Sequence, residues 1–401
     1  MNNKNMSNKY RYKIHNELYD LTDFVQIHPG GADMFNHLKP DTNITPMVYA
    51  HHKNPETLLT ILPKYKIPME KCLVIKYDTQ YSYDKYCELK RLVYDEIYKK
   101  KIPLHWSTTE IIYNGCALTL YLCAWVYYLA NAPILSSWWI VLLVLLNTGI
   151  CNLIFHESAH YASFKNQRIN KLLTATAYPI MIEKNWKFIH NYSHHCFTNS
   201  EHDFDFSLPN QLIRHSDAQK HNWYNPFQNI YSLLIFAGVF VHKGIYLSLK
   251  RSGSKNWVCF PVLSYFIGGV NAICWYLLCG LIFAFIAQLS HIQPECVRAQ
   301  ADDIKKKNDF LYHQVSSSVN YRTDDPLSRF LCFGLDIQIE HHLFPNIPHS
   351  SLRRVQHVVR DYCEKNDIQY VYFSNMFSAA FSYVKHLYKV GNPGVAIKNV
   401  E

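Results

Sequence analysis

No Asp, Glu, Lys or Arg occurs between Glu110 and Glu157, and none between Lys255 and Glu295. Inside a bilayer every backbone N–H and C=O must be paired within the segment, which leaves helices as the spanning form for runs like these. About 20 apolar residues cross the hydrocarbon, so each run predicts two spans. The first pair falls at about 111–131 and 133–155, broken near Asn131-Ala132-Pro133. The second falls at about 257–270 and 272–290, turning near Gly268-Gly269-Val270-Asn271. The apolar run Ile230–Val241 meets His242 and Lys243 too soon to span and is expected to lie in the interface.

Around these runs the chain divides by composition. Residues 1–75 are polar and mixed, with short strand-like pieces around HPGG, and read as a small soluble α+β domain. Residues 76–110 carry charges at helical spacing and predict an amphipathic linker helix on the membrane surface. Residues 111–390 form an all-α polytopic membrane domain, four transmembrane helices plus cytoplasmic helices, and 391–401 a tail. Both hairpin tips are uncharged, while the flanks carry Lys99-Lys100-Lys101, Lys165, Arg168, Lys171, Lys250, Arg251 and Lys305-Lys306-Lys307. The positive-inside rule then places both termini and the long central loop in the cytoplasm.

The net charge of +9 is scattered, with no basic stripe interleaved with stacking aromatics, which argues for anionic lipid and against nucleic acid. The 12 cysteines have no regular spacing and no C-x-x-C pair, and read as small hydrophobes of a reducing compartment. The opening MNNKNMSNKYRYK lacks the apolar core of a signal peptide.

Four histidine clusters stand at or just beyond the edges of the apolar runs. His156 and His160 form H-x3-H in FHESAHYA, and His190, His194 and His195 form H-x3-H-H in HNYSHHCFTN. His291 ends AQLSH, and Gln338, His341 and His342 form Q-x-x-H-H in QIEHHLFP. With the predicted topology all of them can meet on one side of the membrane. Residues at i and i+4 share a helix face, so His156/His160 and His190/His194 are each expected to chelate one ion. Gln338, His341 and His342 repeat that logic at i, i+3 and i+4. Eight neutral imidazoles exceed the three protein ligands of a hydrolytic zinc site and point to two transition-metal ions. Spacing leaves zinc, copper, nickel and iron open. A buried acyl chain offers no bond for hydrolysis, so a membrane-face site argues for oxygen chemistry on hydrocarbon.

In TNSEHDFD, His202 and Asp203 read equally as partners that orient a ligand imidazole and as a solvated turn. His105, His215, His221, His242, His313, His349, His357 and His386 read as structural, with His313 and His349 the leading exceptions. Near the N-terminus, His28-Pro29-Gly30-Gly31 combines a proline-set turn with glycines that let the backbone pass close to a bulky ligand. A second axial histidine, His51 or His52, would complete a six-coordinate haem that passes electrons without binding oxygen.

The first 70 or so residues resemble a cytochrome b5 domain through YDLTDF, HPGG and a histidine 23 or 24 residues on. The resemblance implies haem b with His28 and, by its spacing, His52 as axial ligands, His51 being the alternative. The chain departs from that family in reading KPDTNITPMVYAHH where G-x-D-A-T would precede the histidine. From about Glu110 to His386 it resembles the membrane fatty acyl desaturases, specifically the front-end type with a fused cytochrome b5 domain. HESAH, HNYSHHCFTN with its trailing HDFD, QLSH and GLDIQIEHHLFPNIPHSSL carry the resemblance, Gln338 standing where other groups have histidine. HQVSSSVNY, with Gln314 and Asn320, is similar to the segment ahead of the family's third box.

The resemblance implies two non-haem iron ions held by His156, His160, His190, His194, His195, His291, His341 and His342, with Gln338 at or near the remaining position. It implies an O2-dependent cis double bond placed between the carboxyl end of a fatty acyl chain and an existing double bond. The acyl group would ride on coenzyme A or a lipid. Two of the four electrons that reduce O2 come from the substrate, and the fused haem domain would deliver the others, recharged by NADH-cytochrome b5 reductase at the endoplasmic reticulum. A di-iron fatty acyl or sphingoid hydroxylase is the alternative, and a silent haem-bearing membrane protein a third reading. Ile154, Phe155 and Phe285 are suspects for the acyl tunnel wall, lipid-facing packing being the expected role of each.

Overall fold

The computed structural model describes residues 10–69, 80–131, 138–175, 186–200, 202–205, 212–241, 256–296 and 308–394. Alternation in Arg11–Ile14 (β1) and Glu17–Asp20 (β2) gives an antiparallel pair with Tyr12 opposite Tyr19. Thr42–Asn43 (β3) adds in parallel to β1 and Lys66–Ile67 (β4) antiparallel to β2, for a sheet of order β3-β1-β2-β4. Short helices Thr22–Ile27, Thr45–His51 and Pro55–Ile61 accompany it. The last two carry proline in the first turn, where its missing N–H costs nothing.

This α+β unit is not a free satellite. Its core residues Tyr12, Ile44, Met47 and Val48 continue into Phe188, Ile189, Tyr192 and Phe197 of the second histidine box, so one apolar cluster spans both. The linker helix, Asp84–Lys99, departs from expectation. Tyr86, Leu89, Val93 and Ile97 form its apolar face, and they are buried with Leu352, Val355 and Val359 of helix His349–Lys365. Packing against protein, not the membrane surface, uses that face.

Three described helices are long and apolar enough to cross a membrane: Thr108–Asn131, Trp138–Ala159 and Gly268–His291. Large apolar side chains such as Ile112, Leu120, Val126 and Val270 are exposed along them, as a lipid-facing surface requires. The first two spans form a hairpin: His105 Nδ1 and Trp106 N donate to the carbonyls of Ala162 and Ser163, just past the second span. At the far end, Trp125 meets Trp275 edge-on at 4.8 Å and Tyr128 reaches the Gly268 carbonyl, beside the start of the third span. The expected turn at 268–271 is a helix break at Gly269, with φ 59° and ψ −145°. Residues 256–267 before it are helical but only ~18 Å long at 1.5 Å per residue. That falls short of a ~30 Å core, so the described residues hold three helices of spanning length where four spans were expected.

The Gln228–Val241 helix is too short to span, as expected, with Ile230, Leu233 and Leu234 exposed. Beyond the third span come helices Phe310–Ser316, Gln338–Leu343 and His349–Lys365, parallel strands Asn320–Tyr321 (β5) and Tyr372–Phe373 (β6), and helix Met376–Gly391. Every described cysteine is free.

Candidate metal centre

All eight predicted histidines converge, in two groups. His156, His160, His190, His195 and His341 each bring a ligand atom within 4.8 Å of the others, and His194, His291 and His342 do the same among themselves. The grouping differs from the i/i+4 expectation because Lys187–His194 is wound as a π-helix. Its i→i+5 bonding aligns residues five apart, so His190 joins His195 and sends His194 to the other group. His190 and His194 still meet Asp205 within the same 4.8 Å limit, bridging the groups. His341 and His342, neighbours on one helix, also divide between the two. Gln338 lies at the edge of the three-histidine group, its Nε2 donating to His291 Nε2 at 3.0 Å.

Four rings are oriented through Nδ1, which makes Nε2 the lone-pair nitrogen, that of His291 receiving the Gln338 N–H. His194 Nδ1 donates to Asp203 at 2.9 Å, His190 Nδ1 to Asp205 at 2.9 Å, His291 Nδ1 to the Ser317 carbonyl at 3.0 Å, and His342 Nδ1 to Gln314 at 3.1 Å. Asp203 thus holds the His194 ring. The His202 ring packs edge-on to Phe197 and its carbonyl accepts from Ser193. Sequence reasoning missed Asp205, although the HDFD spacing places it two residues after Asp203. Asn320 supports the third box by accepting from Ile339 N and donating to the buried Glu340 at 2.7 Å.

His349, read among the structural histidines as a leading exception, lies against the five-histidine group. Its Nδ1 and backbone N–H both donate to Glu157 at 2.7 Å, a carboxylate that also receives Trp106 Nε1, and its ring stacks on His341 at 4.8 Å. Gly334, at φ +93°, makes room: a Cβ there would sit 2.4 Å from the His349 ring. His313 is a brace, accepting from Tyr81 OH and donating to the Thr198 carbonyl. His105, His221 and His386 bond backbone carbonyls, of Ala162, Gly391 and His215 in turn, and His357 meets Glu96. His242 lies outside the described residues.

Burial first, and neighbouring imidazoles second, hold the basicity of His160, His195, His341 and His342 far below the ordinary histidine range. They are neutral lone-pair donors. Both ring nitrogens of His160 and His341, and Nε2 of His342, are buried without a hydrogen-bond partner. Orphaned buried polar atoms cost about 1–3 kcal/mol each, and metal ions at the two groups would satisfy them. The donor set therefore fits metal. Asp203→Asn is expected to weaken metal binding about 10–100-fold by losing the charge that holds His194; unchanged metal content on dialysis against a chelator would contradict this.

The fatty acid desaturase family model matches residues 132–374, more than half of the chain. The chain belongs to the fatty acid desaturase family. It is 22% identical to a Delta(5) fatty acid desaturase A of Dictyostelium discoideum, over 97% of this chain and 92% of that one. It is 22% identical to an acyl-lipid (8-3)-desaturase B of the same organism over the same shares, and 24% identical to a Delta(8)-fatty-acid desaturase of Borago officinalis, over 93% and 89%.

Beside the metal groups of this desaturase lies a cavity walled by Trp186, Phe283, Ala284, Ala287 and Phe333, with His156, His190, His194 and His291 at its polar end. Ile154, Phe155 and Phe285 do not line it. Phe155 packs on Trp186 at 4.9 Å, Phe285 on Tyr383 at 5.9 Å, and Ile154 is buried in the span core. The helical phase that turns Phe283 and Ala287 inward takes Phe285 away.

At the N-terminal unit the His28 and His52 rings face each other at 5.9 Å. Each is tied through Nδ1 to a backbone carbonyl, of Gly31 and Val48, both at 3.0 Å, leaving Nε2 available for a ligand. A Cβ on Gly30 would lie 2.8 Å from His28 Cε1, so the HPGG turn needs glycine there. His51 turns away from His28, its Nδ1 held by the Met47 carbonyl.

Burial lowers His51 and His52 from 6.5 to about 4. A base depressed in the folded state is protonated first in the unfolded chain. Stability is therefore intact above pH 6.5 and lost as pH falls toward 4, by about 1.4 kcal/mol per imidazole at pH 5.5. The protein free of metal and haem is expected to melt earlier at pH 5.5 than at pH 7.5. An equal midpoint at both would rule the effect out.

Proposed function

We propose that this desaturase is an O2-dependent front-end enzyme that places a cis double bond between the carboxyl end of a fatty acyl chain and an existing double bond. The observation that carries the reading is the convergence of eight imidazoles and Gln338 on an apolar-walled cavity. The three relatives above, named for Delta(5), (8-3) and Delta(8) activity, support it.

His156, His160, His190, His195 and His341 would hold one iron, and His194, His291 and His342, with Gln338 at the open edge, the other. Iron there would supply O2 activation and take the two hydrogens. The protein's own part is positional. Asp203, Asp205, Gln314 and the Ser317 carbonyl fix the ring tautomers, while Phe283, Ala284, Ala287 and Phe333 keep water from the chain and set which carbons reach the metal. The acyl group would arrive as a coenzyme A ester or lipid-linked. His28 and His52 fit haem b, and a cytochrome b5-like unit over residues 1–75, followed by a linker to 110, would supply electrons taken from an NADH-cytochrome b5 reductase.

Parity supports a four-span topology. The second and third spans both end at the metal groups, through His156 and His291, and the first span starts beside them, so the chain between 164 and 268 must cross back an odd number of times. The run expected to span at about 257–270 would supply that crossing. The basic flanks support a cytoplasmic metal side, which would suit the endoplasmic reticulum.

The test is a fatty acid profile, by gas chromatography and mass spectrometry, of a host expressing the chain and fed polyunsaturated acids. A new double bond on the carboxyl side of an existing one is expected. A hydroxylated product, or a double bond only on the methyl side, would overturn the reading.

A further inference from the structure

The helix Thr45–His51 is the element that links the two candidate redox sites. Its last residue, His51, and the following His52 turn in different directions: the His52 ring faces His28, and the His51 ring does not. The same helix comes within 8 Å, Cα to Cα, of His195–Phe197, which begins with a member of the five-histidine group. His51 Nε2 is buried and has no hydrogen-bond partner, while its Nδ1 is fixed by the Met47 carbonyl at 3.2 Å.

The surrounding contacts hold this helix still against the metal side. Asn346, four residues past His342, donates to the His51 carbonyl at 3.1 Å. Lys90 donates to the carbonyls of Tyr49 and His52 at the helix C-terminus. Tyr192, inside the second box, donates to the Asn43 carbonyl at 2.7 Å, and Tyr161, next to His160, donates to Asp33 at 3.2 Å. His51 also lies close enough to His160 to lower its basicity.

We propose that the His51 side chain is the contact through which electrons leave the haem pocket for the five-histidine group. The inference rests on the haem and metal assignments made above. In the step, one electron leaves reduced haem held by His28 and His52 and reaches an oxidised metal ion in the group. No bond forms or breaks and no proton moves. Two such passes accompany each double bond, each refilled by a one-electron donor. His51 is thus a positioning residue, supplying packed, bonded atoms between the sites.

The experiment uses the full chain in lipid nanodiscs, with His51→Ala and His51→Phe, the second keeping a packed ring. Three quantities are read: the haem absorption spectrum, the non-haem iron content, and the rate at which dithionite-reduced haem is reoxidised when O2 and acyl substrate are mixed in. Both variants are expected to keep parental spectrum and iron content. Ala should slow reoxidation about tenfold or more, and Phe should restore it to within about threefold of the parent. A parental rate in His51→Ala, with haem and iron intact, overturns the conduit alone. Loss of the haem spectrum in His51→Ala but not in His52→Ala makes His51 the axial ligand and overturns it as well. A parent protein with no haem band removes both the conduit and the reading beneath it.

Discussion

Replacing His341 by alanine is expected to abolish double-bond formation and to strip the ion from the five-histidine group. His341 sits at the centre of that group, its ring 4.5 Å from His156, 4.8 Å from His160 and 4.7 Å from His195. Alanine removes a donor and opens space where the His349 ring now stacks. Changing a residue that merely orients a ligand costs 10–100-fold in metal affinity, so loss of the ligand itself should exceed about 100-fold. Product should fall below detection. His202→Ala, outside both groups, should keep metal and product, which separates site loss from general damage. Parental iron by mass spectrometry in His341→Ala would remove His341 from the ligand set.

Breaking the Asp33–Lys187 pair is expected to loosen the N-terminal unit from the metal domain. Asp33 follows HPGG, and Lys187 opens the π-helix of the second box with its side chain fully buried. Burial alone would raise the Asp33 carboxyl, but the His37 and Lys187 contacts overcome it and hold the group far below the usual range. Removing one partner of a buried pair costs about 3–5 kcal/mol, because the other charge stays in a poorly solvated place. Asp33→Ala should therefore lower the thermal midpoint markedly, and adding Lys187→Met should recover much of the loss. If the double variant is no more stable than Asp33→Ala, the pair does not couple the two parts.

The same interface shows where the sequence reading stopped. An α+β unit with HPGG and a paired His51-His52 was legible, because strand alternation and turn residues are local. That this unit shares a core with Phe188, Ile189 and Tyr192 was not, because those residues look like any apolar positions in a helix. The linker helix showed its amphipathic pattern plainly, but a pattern says only that one face is buried, and the face went to helix His349–Lys365 and not to lipid.

The sequence by itself determined the membrane runs, the eight clustered histidines, Gln338 and the alternative of His51 or His52, since charge gaps, spacing and residue chemistry are written along the chain. Only the tertiary structure decided how those residues are shared out. The π-winding that aligns His190 with His195 and sends His194 to His291 and His342 is a backbone choice made by packing. His52 faces His28 because of how the Thr45–His51 helix docks. The Glu157–His349 contact joins residues 192 positions apart. Such pairings follow from which surfaces meet in the folded core, and no local pattern encodes that.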